Sequence, residues 1–205
     1  YTLSLNIKIR LKDKKGIASS YNNLGSLLFT ERRYDDALKN FNQALAMDKE
    51  RGSKFDMATD YNNIGAVYYE MGDHEKAFEF TAAAMKLRKE IKDLTGISHS
   101  YVNLANISLQ KKKYADAQKY AGEALRISLL TGNKKGIEDA WIAKTKLDSI
   151  RGNFAGAFAG YKMMLLYRDS LFGEETQEKT VQAQMTYEFE RKFTADNVRN
   201  MKDLE

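Results

Sequence analysis

Two landmarks return every forty residues, and that recurrence limits the fold more than any other feature. Tyr21-Asn22-Asn23-Leu24-Gly25 comes back as Tyr61-Asn62-Asn63-Ile64-Gly65 and again as Tyr101-Val102-Asn103-Leu104-Ala105. Trp141 stands at the same phase forty residues later, although Ile142-Ala143-Lys144-Thr145 has diverged. A second set keeps the same step: Ala37, Ala77, Ala117 and Ala157, with Leu45, Met85, Leu125 and Leu165. Ala44, Ala84 and Ala124 follow it too, with Met164 in the fourth copy. Units of this length cannot each bury an apolar face alone, so they must stack.

Each unit reads as two helices. Tyr21, Leu24 and Leu28 fall at i, i+3 and i+7, which is one helical face, and Ala37, Leu38, Phe41, Ala44 and Leu45 make another. Short polar turns separate them: Glu31-Arg32-Arg33, Met71-Gly72-Asp73, Lys111-Lys112-Lys113 and Arg151-Gly152-Asn153. Asp73 and Asn153 suit the N-cap of the helix that follows. Between units lie segments such as Lys49–Lys54, Lys92–Gly96 and Gly132–Gly136. Mid-helix glycine costs about 1 kcal/mol against alanine, so Gly25 and Gly65 imply a close helix approach. Ala37, Ala77, Ala117 and Ala157 are the expected facing residues, and Phe41 and Tyr161 are expected to fill gaps between units. Gly156-Ala157-Phe158-Ala159-Gly160 is a small-residue stretch suited to close helix packing.

Composition agrees. The chain has no proline, where average usage would give roughly ten. That argues against a β-sandwich or a loop-rich enzyme and for an all-α fold. The absence of cysteine removes disulfides, thiolate metal sites and cysteine nucleophiles. The predicted organisation has units at 13–53, 54–93, 94–133 and 134–172. Residues 1–12 read as the second helix of an earlier unit, because Tyr1, Ser4 and Leu5 lie forty before Phe41, Ala44 and Leu45. Residues 173–205 read as a C-terminal capping or connector helix. Val181, Met185, Phe189 and Phe193 make its apolar stripe, and this helix also offers a route to dimerisation. The chain opens on Tyr1, so a fragment of a longer protein is expected.

Chemistry is sparse. Neither His74 nor His99 has a second ligand at metal spacing, and His74, near a turn, is expected in solvent. There is no phosphate-binding glycine motif. Carboxylate pairs such as Glu174-Glu175 are ordinary charge. No catalytic residue, cofactor or metal is predicted, and no run of about 18 apolar residues marks a membrane span. The net charge of +5 is uneven: residues 168–205 hold six Lys or Arg against nine Asp or Glu. The cations cluster at Lys14-Lys15, Arg32-Arg33, Lys111–Lys113 and Lys134-Lys135. They fall at turns, and no nucleic-acid surface is expected.

The units resemble the tetratricopeptide repeat (TPR), whose pattern runs W-x2-L-G-x2-Y…A-x3-F…P. The first unit supplies Tyr21, Leu24, Gly25, Leu28, Ala37 and Phe41. The second has Tyr61, Ile64, Gly65, Tyr68 and Ala77, with Thr81 in place of the Phe. The third has Tyr101, Leu104, Ala105, Ala117 and Ala121, and the fourth keeps Trp141, Ala157 and Tyr161. The missing proline and the step of forty rather than 34 are similar to the longer-helix subgroup. The resemblance implies an α-solenoid of antiparallel helix pairs in a right-handed superhelix, ending in a long C-terminal helix. It also implies that Asn23, Asn63 and Asn103 line a concave groove and hold the backbone of an extended peptide. An Asn side chain carries both donor and acceptor, which suits that role; it equally suits tying helices together inside a repeat. Ser19, Thr59, His99 and Asp139 share another phase and are candidates for the same groove, varying as specificity positions would. Asn22 and Asn62 recur in only two units and carry less weight.

Tyr167-Arg168-Asp169-Ser170-Leu171-Phe172, followed by a charged helix with Tyr187-Glu188, resembles a junction in Bacteroidetes-type sensor histidine kinases. That resemblance implies an extracytoplasmic sensor of an inner-membrane protein, with a peptide or protein ligand and no phosphotransfer in this segment. A cytoplasmic scaffold or adaptor, a TPR-containing transcriptional regulator and a peptide-pheromone receptor remain as alternatives.

Overall fold

A computed structural model describes residue 8 and residues 13–173. Among these stand eight helices and no strand: α1 (Lys14–Thr30), α2 (Tyr34–Arg51), α3 (Lys54–Glu70), α4 (His74–Glu90), α5 (Leu94–Gln110), α6 (Tyr114–Thr131), α7 (Lys134–Ile150) and α8 (154–173). At 17 or 18 residues, each of the first seven is about 25 Å long. They form consecutive antiparallel pairs, α1 with α2, α3 with α4, and α5 with α6. The readings made for the C-terminal stripe, and for residues 1–12 apart from Lys8, lie outside the described residues.

One turn design serves both kinds of link. A residue with positive φ stands every twenty positions: Arg32, Gly52, Gly72, Lys92, Lys112, Gly132 and Gly152. The next residue is the N-cap of the following helix. Asp13, Ser53, Asp73, Asp93, Asn133 and Asn153 each accept a hydrogen bond from the backbone N–H three residues on, which satisfies an end-of-helix donor. The links between units are therefore as short as the turns within them. Within the segment Lys49–Lys54 only Gly52 and Ser53 are non-helical, because α2 continues to Arg51 and ends on the left-handed Gly52.

Three of these turns place a long side chain where glycine is the unstrained choice: Arg32 at φ 60°, Lys92 at 58° and Lys112 at 56°. Replacing Lys112 with Gly is expected to raise stability by about 1 kcal/mol, read as a higher urea midpoint.

Small residues do open the helix pairs, and the expected alanine is among the facing residues in the second unit, though not in the first. A Cβ on Gly25 would lie 2.8 Å from the ring of Phe41. On Gly65 it would lie 2.9 Å from Thr81 Oγ1 and 3.3 Å from the Ala77 carbonyl. The third unit solves the same contact with Ala105 against Ala121, packed with Ala143 of the next unit. In the fourth, Gly160 faces Thr145 Oγ1. Phe41, 2% exposed, thus fills the space inside its own unit rather than only a gap between units. Its core cluster then continues through Ile64 and Val67 of the second unit. Tyr161 fills no gap either. It is 48% exposed, on an open face of α8 with Phe154 and Phe158.

The first helices of neighbouring units approach one another, α5 with α7 and more loosely α1 with α3, while no comparable contact joins α2 with α4 or α4 with α6. The odd-numbered helices therefore line the inner face of the stack.

Candidate functional site: an amide-lined inner groove

The asparagines at the repeated phase form rungs between units. Nδ2 of Asn63 donates to Oδ1 of Asn22 at 2.8 Å, and Nδ2 of Asn103 donates to Oδ1 of Asn62 at 2.8 Å. Asn22 in turn donates through Nδ2 to Oδ1 of Asp60. The ties run from one unit to the next rather than inside a repeat, and they make Asn22 and Asn62 as important as the residues that bond to them. Asn23, in the first unit, is exposed. Asn63 and Asn103 are half-buried. Each spends one N–H on its neighbour, and an amide has a second N–H and a carbonyl oxygen to offer.

Around the rungs the inner face is hollowed. A cavity of 230 Å³ is lined by Phe29, Gly65, Ala66, Tyr69, Asn103 and Asn106 among others. It shares Tyr69 and Asn106 with a second cavity of 410 Å³, whose walls include Gln110, Thr145, Lys146 and Ile150. Nε2 of Gln110 donates to the Tyr69 hydroxyl at 3.2 Å. Thr145 Oγ1 is enclosed and has no hydrogen-bond partner. Toward the other ends of the same helices lies a cavity of 610 Å³ between α3, α5 and α7, lined by Phe55, Arg88, His99, Val102, Lys135 and Asp139.

The structure thus brings His99 and Asp139 into one cavity and Asn103 into another. Ser19 is exposed on α1, and the Thr59 hydroxyl donates to the Phe55 carbonyl at 3.2 Å. Solvent reaches His99, yet the walls of the groove crowd it and depress its pKa. The Arg88 charge adds to that effect and Asp139 opposes it. A neutral imidazole offers one donor and one acceptor. Tyr69, Asn106, Gln110 and Lys146 were not singled out from sequence. For Asn106 and Lys146 the signal was present: Ser26, Ala66, Asn106 and Lys146 lie seven residues after Ser19, Thr59, His99 and Asp139, on the same helical face two turns on.

Buried polar contacts join the units beneath this face. Lys8 donates through Nζ to Ser20 Oγ at 2.8 Å. Eighty residues on, Arg88 Nη1 donates to Ser100 Oγ at 2.8 Å and to the Gly96 carbonyl at 2.9 Å. Ser128 meets Ser98 at 2.5 Å, and Ser98 also donates to the Ala124 carbonyl. Glycines make room for the first two arrangements and for Ser128. A Cβ on Gly16 would lie 3.0 Å from Lys8 Cδ, on Gly96 2.7 Å from Arg88 Cδ, and on Gly136 2.4 Å from Ser128 Oγ. The pairs Gly16-Ile17, Gly96-Ile97 and Gly136-Ile137 keep the forty-residue step, and the second unit replaces them with Asp56-Met57.

Most of the basic clusters are exposed at turns, as expected, and Lys111 is the clear departure. The Lys111 side chain, 14% exposed, pairs with Glu75 at 2.5 Å and lies over the Phe78 ring. Lys135 holds both Glu138 and Asp139 at 2.9 Å. His74 is also not in free solvent. Its Nδ1 is enclosed without a partner, and its ring centre is 5.6 Å from that of Tyr69. Among the described residues no cluster of His, Cys, Asp or Glu is arranged to hold a metal ion, and no helix is long and apolar enough to cross a membrane.

Stacked antiparallel helix pairs with a hollowed inner face define an α-solenoid built for holding another chain. Family models of the tetratricopeptide repeat match residues 18–51 and residues 55–130. The chain carries tetratricopeptide repeats and is a protein-interaction module of that class, which is generally non-catalytic. No curated protein matches it in sequence.

Solved structures share the fold. BtubC (BKLC) from P. vanneervenii is 20% identical with a TM-score of 0.66, over 78% of this chain and 66% of that one. The apo form of RapI is 14% identical with a TM-score of 0.64, over 80% and 51%. A Signal Transduction ATPase with Numerous Domains from Pyrococcus horikoshii, a protein with a tetratricopeptide repeat sensor, is 21% identical with a TM-score of 0.65, over 85% and 27%. This chain therefore spans less than two thirds of the length of each.

Proposed function

We propose that this chain is the ligand-binding region of a bacterial signal-transduction protein, a two-component sensor histidine kinase. In this reading it holds an extended peptide or protein segment in its inner groove. The observation that carries the binding step is the row of half-buried amides, Asn63 and Asn103, beside continuous cavities that include Tyr69, Asn106 and Gln110. An extended strand presents an N–H or C=O at each residue, and amides meet either group without reading the side chain. The varied positions, His99, Asp139, Asn106 and Lys146, then select the sequence.

Two features support the signalling part of the proposal. The segment Tyr167–Phe172 resembles a sensor-kinase junction, and the Pyrococcus horikoshii protein uses a repeat of this fold as a sensor. The sensor would lie on the extracytoplasmic side of an inner membrane.

Selection from a displayed library of unstructured peptides tests the binding step. Peptides recovered on the wild-type chain are expected to bind Asn63→Ala and Asn103→Ala about 2- to 10-fold more weakly, the effect of one lost hydrogen bond. The stability of both variants should stay within about 1 kcal/mol of wild type. Reading the coding sequence beyond Glu205 tests the anchor: a run of about 20 apolar residues is expected, and a soluble continuation would leave the adaptor or regulator as the better account.

A further inference from the structure

We propose that Asp60 is a positioning residue for the groove, and that a proton held between it and Asp48 clasps the first repeat to the second. This inference rests on the groove reading above.

The repeat sets up the comparison. The slot beneath the inner face joins Lys8 to Ser20 at one junction and Arg88 to Ser100 at another. At the junction between, the same two positions are Asp48 and Asp60, and both are buried, at 3% and 0% exposure. Asp60, on α3, reaches Asn22 of α1 and lies beside Asp48 of α2. Its Oδ1 accepts from Asn22 of α1, the residue that also accepts from Asn63. Its Oδ2 is enclosed, and no donor reaches it. The charges that act on this pair are few. Arg51 of α2 donates to Asp48 and, at 3.2 Å, to Asp56 of α3. The guanidinium thus serves Asp48 and Asp56, and a buried carboxylate without compensation, as Asp60 would be, is strongly disfavoured.

A proton on Asp60 Oδ2 resolves the conflict, since it turns an acceptor into a donor toward Asp48. Burial, then the Asp48 charge and its hydrogen bond, then Asp56 push the Asp60 pKa up to about 8. The folded value thus lies above the ordinary one, and the contribution to stability is complete below about pH 4. It is lost as the pH rises through about 8. Once the proton leaves, two facing carboxylates repel across the α2–α3 boundary and loosen the Asn22–Asn63 rung above them.

Amide hydrogen exchange on the unliganded chain at about pH 6 and about pH 9, corrected for intrinsic rates, tests the clasp. In wild type, protection of α1 and α2 is expected to fall about tenfold between the two pH values, relative to α5 and α6. Asp60→Asn accepts from Asn22 and donates to Asp48 at every pH, so its α1 and α2 should lose no more protection than α5 and α6. Asp48→Asn removes the facing charge and offers Asp60 a donor, so it should reduce the pH dependence, and it serves if Asp60→Asn does not fold. A wild-type chain with no selective loss, or variants that lose protection as wild type does, would overturn the clasp. Because no ligand takes part, that outcome leaves peptide binding standing. Loss of peptide binding with an intact pH response would sink the groove and spare the clasp.

Discussion

Phe41→Ala is expected to lower unfolding stability by about 3–5 kcal/mol, the usual cost of emptying a buried aromatic site. The ring is 2% exposed and belongs to the cluster that carries the core from the first unit into the second. Gly25→Ala is expected to cost about 1–3 kcal/mol, the range for overpacking, because its Cβ would stand 2.8 Å from that ring. The two losses should not add. The double variant reproduces the alanine pair that the third unit builds from Ala105 and Ala121. In it, Gly25→Ala no longer meets a ring and fills part of the cavity. The double variant is therefore expected to be no less stable than Phe41→Ala alone, giving a favourable coupling of about 1 kcal/mol or more. Urea unfolding of the four proteins measures it, and additive losses would refute the direct contact.

Arg88→Ala is the second large effect, about 2–4 kcal/mol. The guanidinium is 7% exposed, and burial holds its pKa below the ordinary arginine value, with Asp93 offsetting part of the shift. Its hydrogen bonds to the Gly96 carbonyl and Ser100 link the second unit to the third. Removing it leaves a void and an unpaired hydroxyl. Arg88→Met keeps most of the volume and removes the desolvated charge. It should retain at least half of the stability that Arg88→Ala loses. Equal losses in the two variants would mean that the charge itself holds the junction.

The residues that carried the fold in the sequence were those under the tightest geometric demand. Tyr21, Tyr61 and Tyr101 kept their phase, and so did the alanines from Ala37 to Ala117, because each sits where two helices meet. The twenty-residue rhythm of the turns was harder to see. Arg32, Lys92 and Lys112 occupy left-handed positions that glycine fills elsewhere, so basic residues hid the signal. At the site, the phase of Asn63 and Asn103 marked the inner face, but their partners were discounted. Asn22 and Asn62 lie next to Asn23 and Asn63 in sequence and meet Asn63 and Asn103 only across a unit boundary. A helical face read within one unit does not reveal that pairing. The acid pair Asp48 and Asp60 was invisible for the same reason: each is an ordinary helical aspartate until stacking buries both.

The central claim is that the amide rungs face a bound chain as well as each other. Binding of a library-selected peptide to wild type, Asn103→Ala and Asn62→Ala, measured with the thermal stability of each, tests it most directly. A contact to the ligand predicts that Asn103→Ala binds about 2- to 10-fold more weakly while its stability moves by less than about 1 kcal/mol. Asn62→Ala, which removes the partner beneath the rung, should weaken binding less and destabilise more. Unchanged affinity in Asn103→Ala together with a clear loss of stability would contradict the account and leave the rungs as ties between repeats.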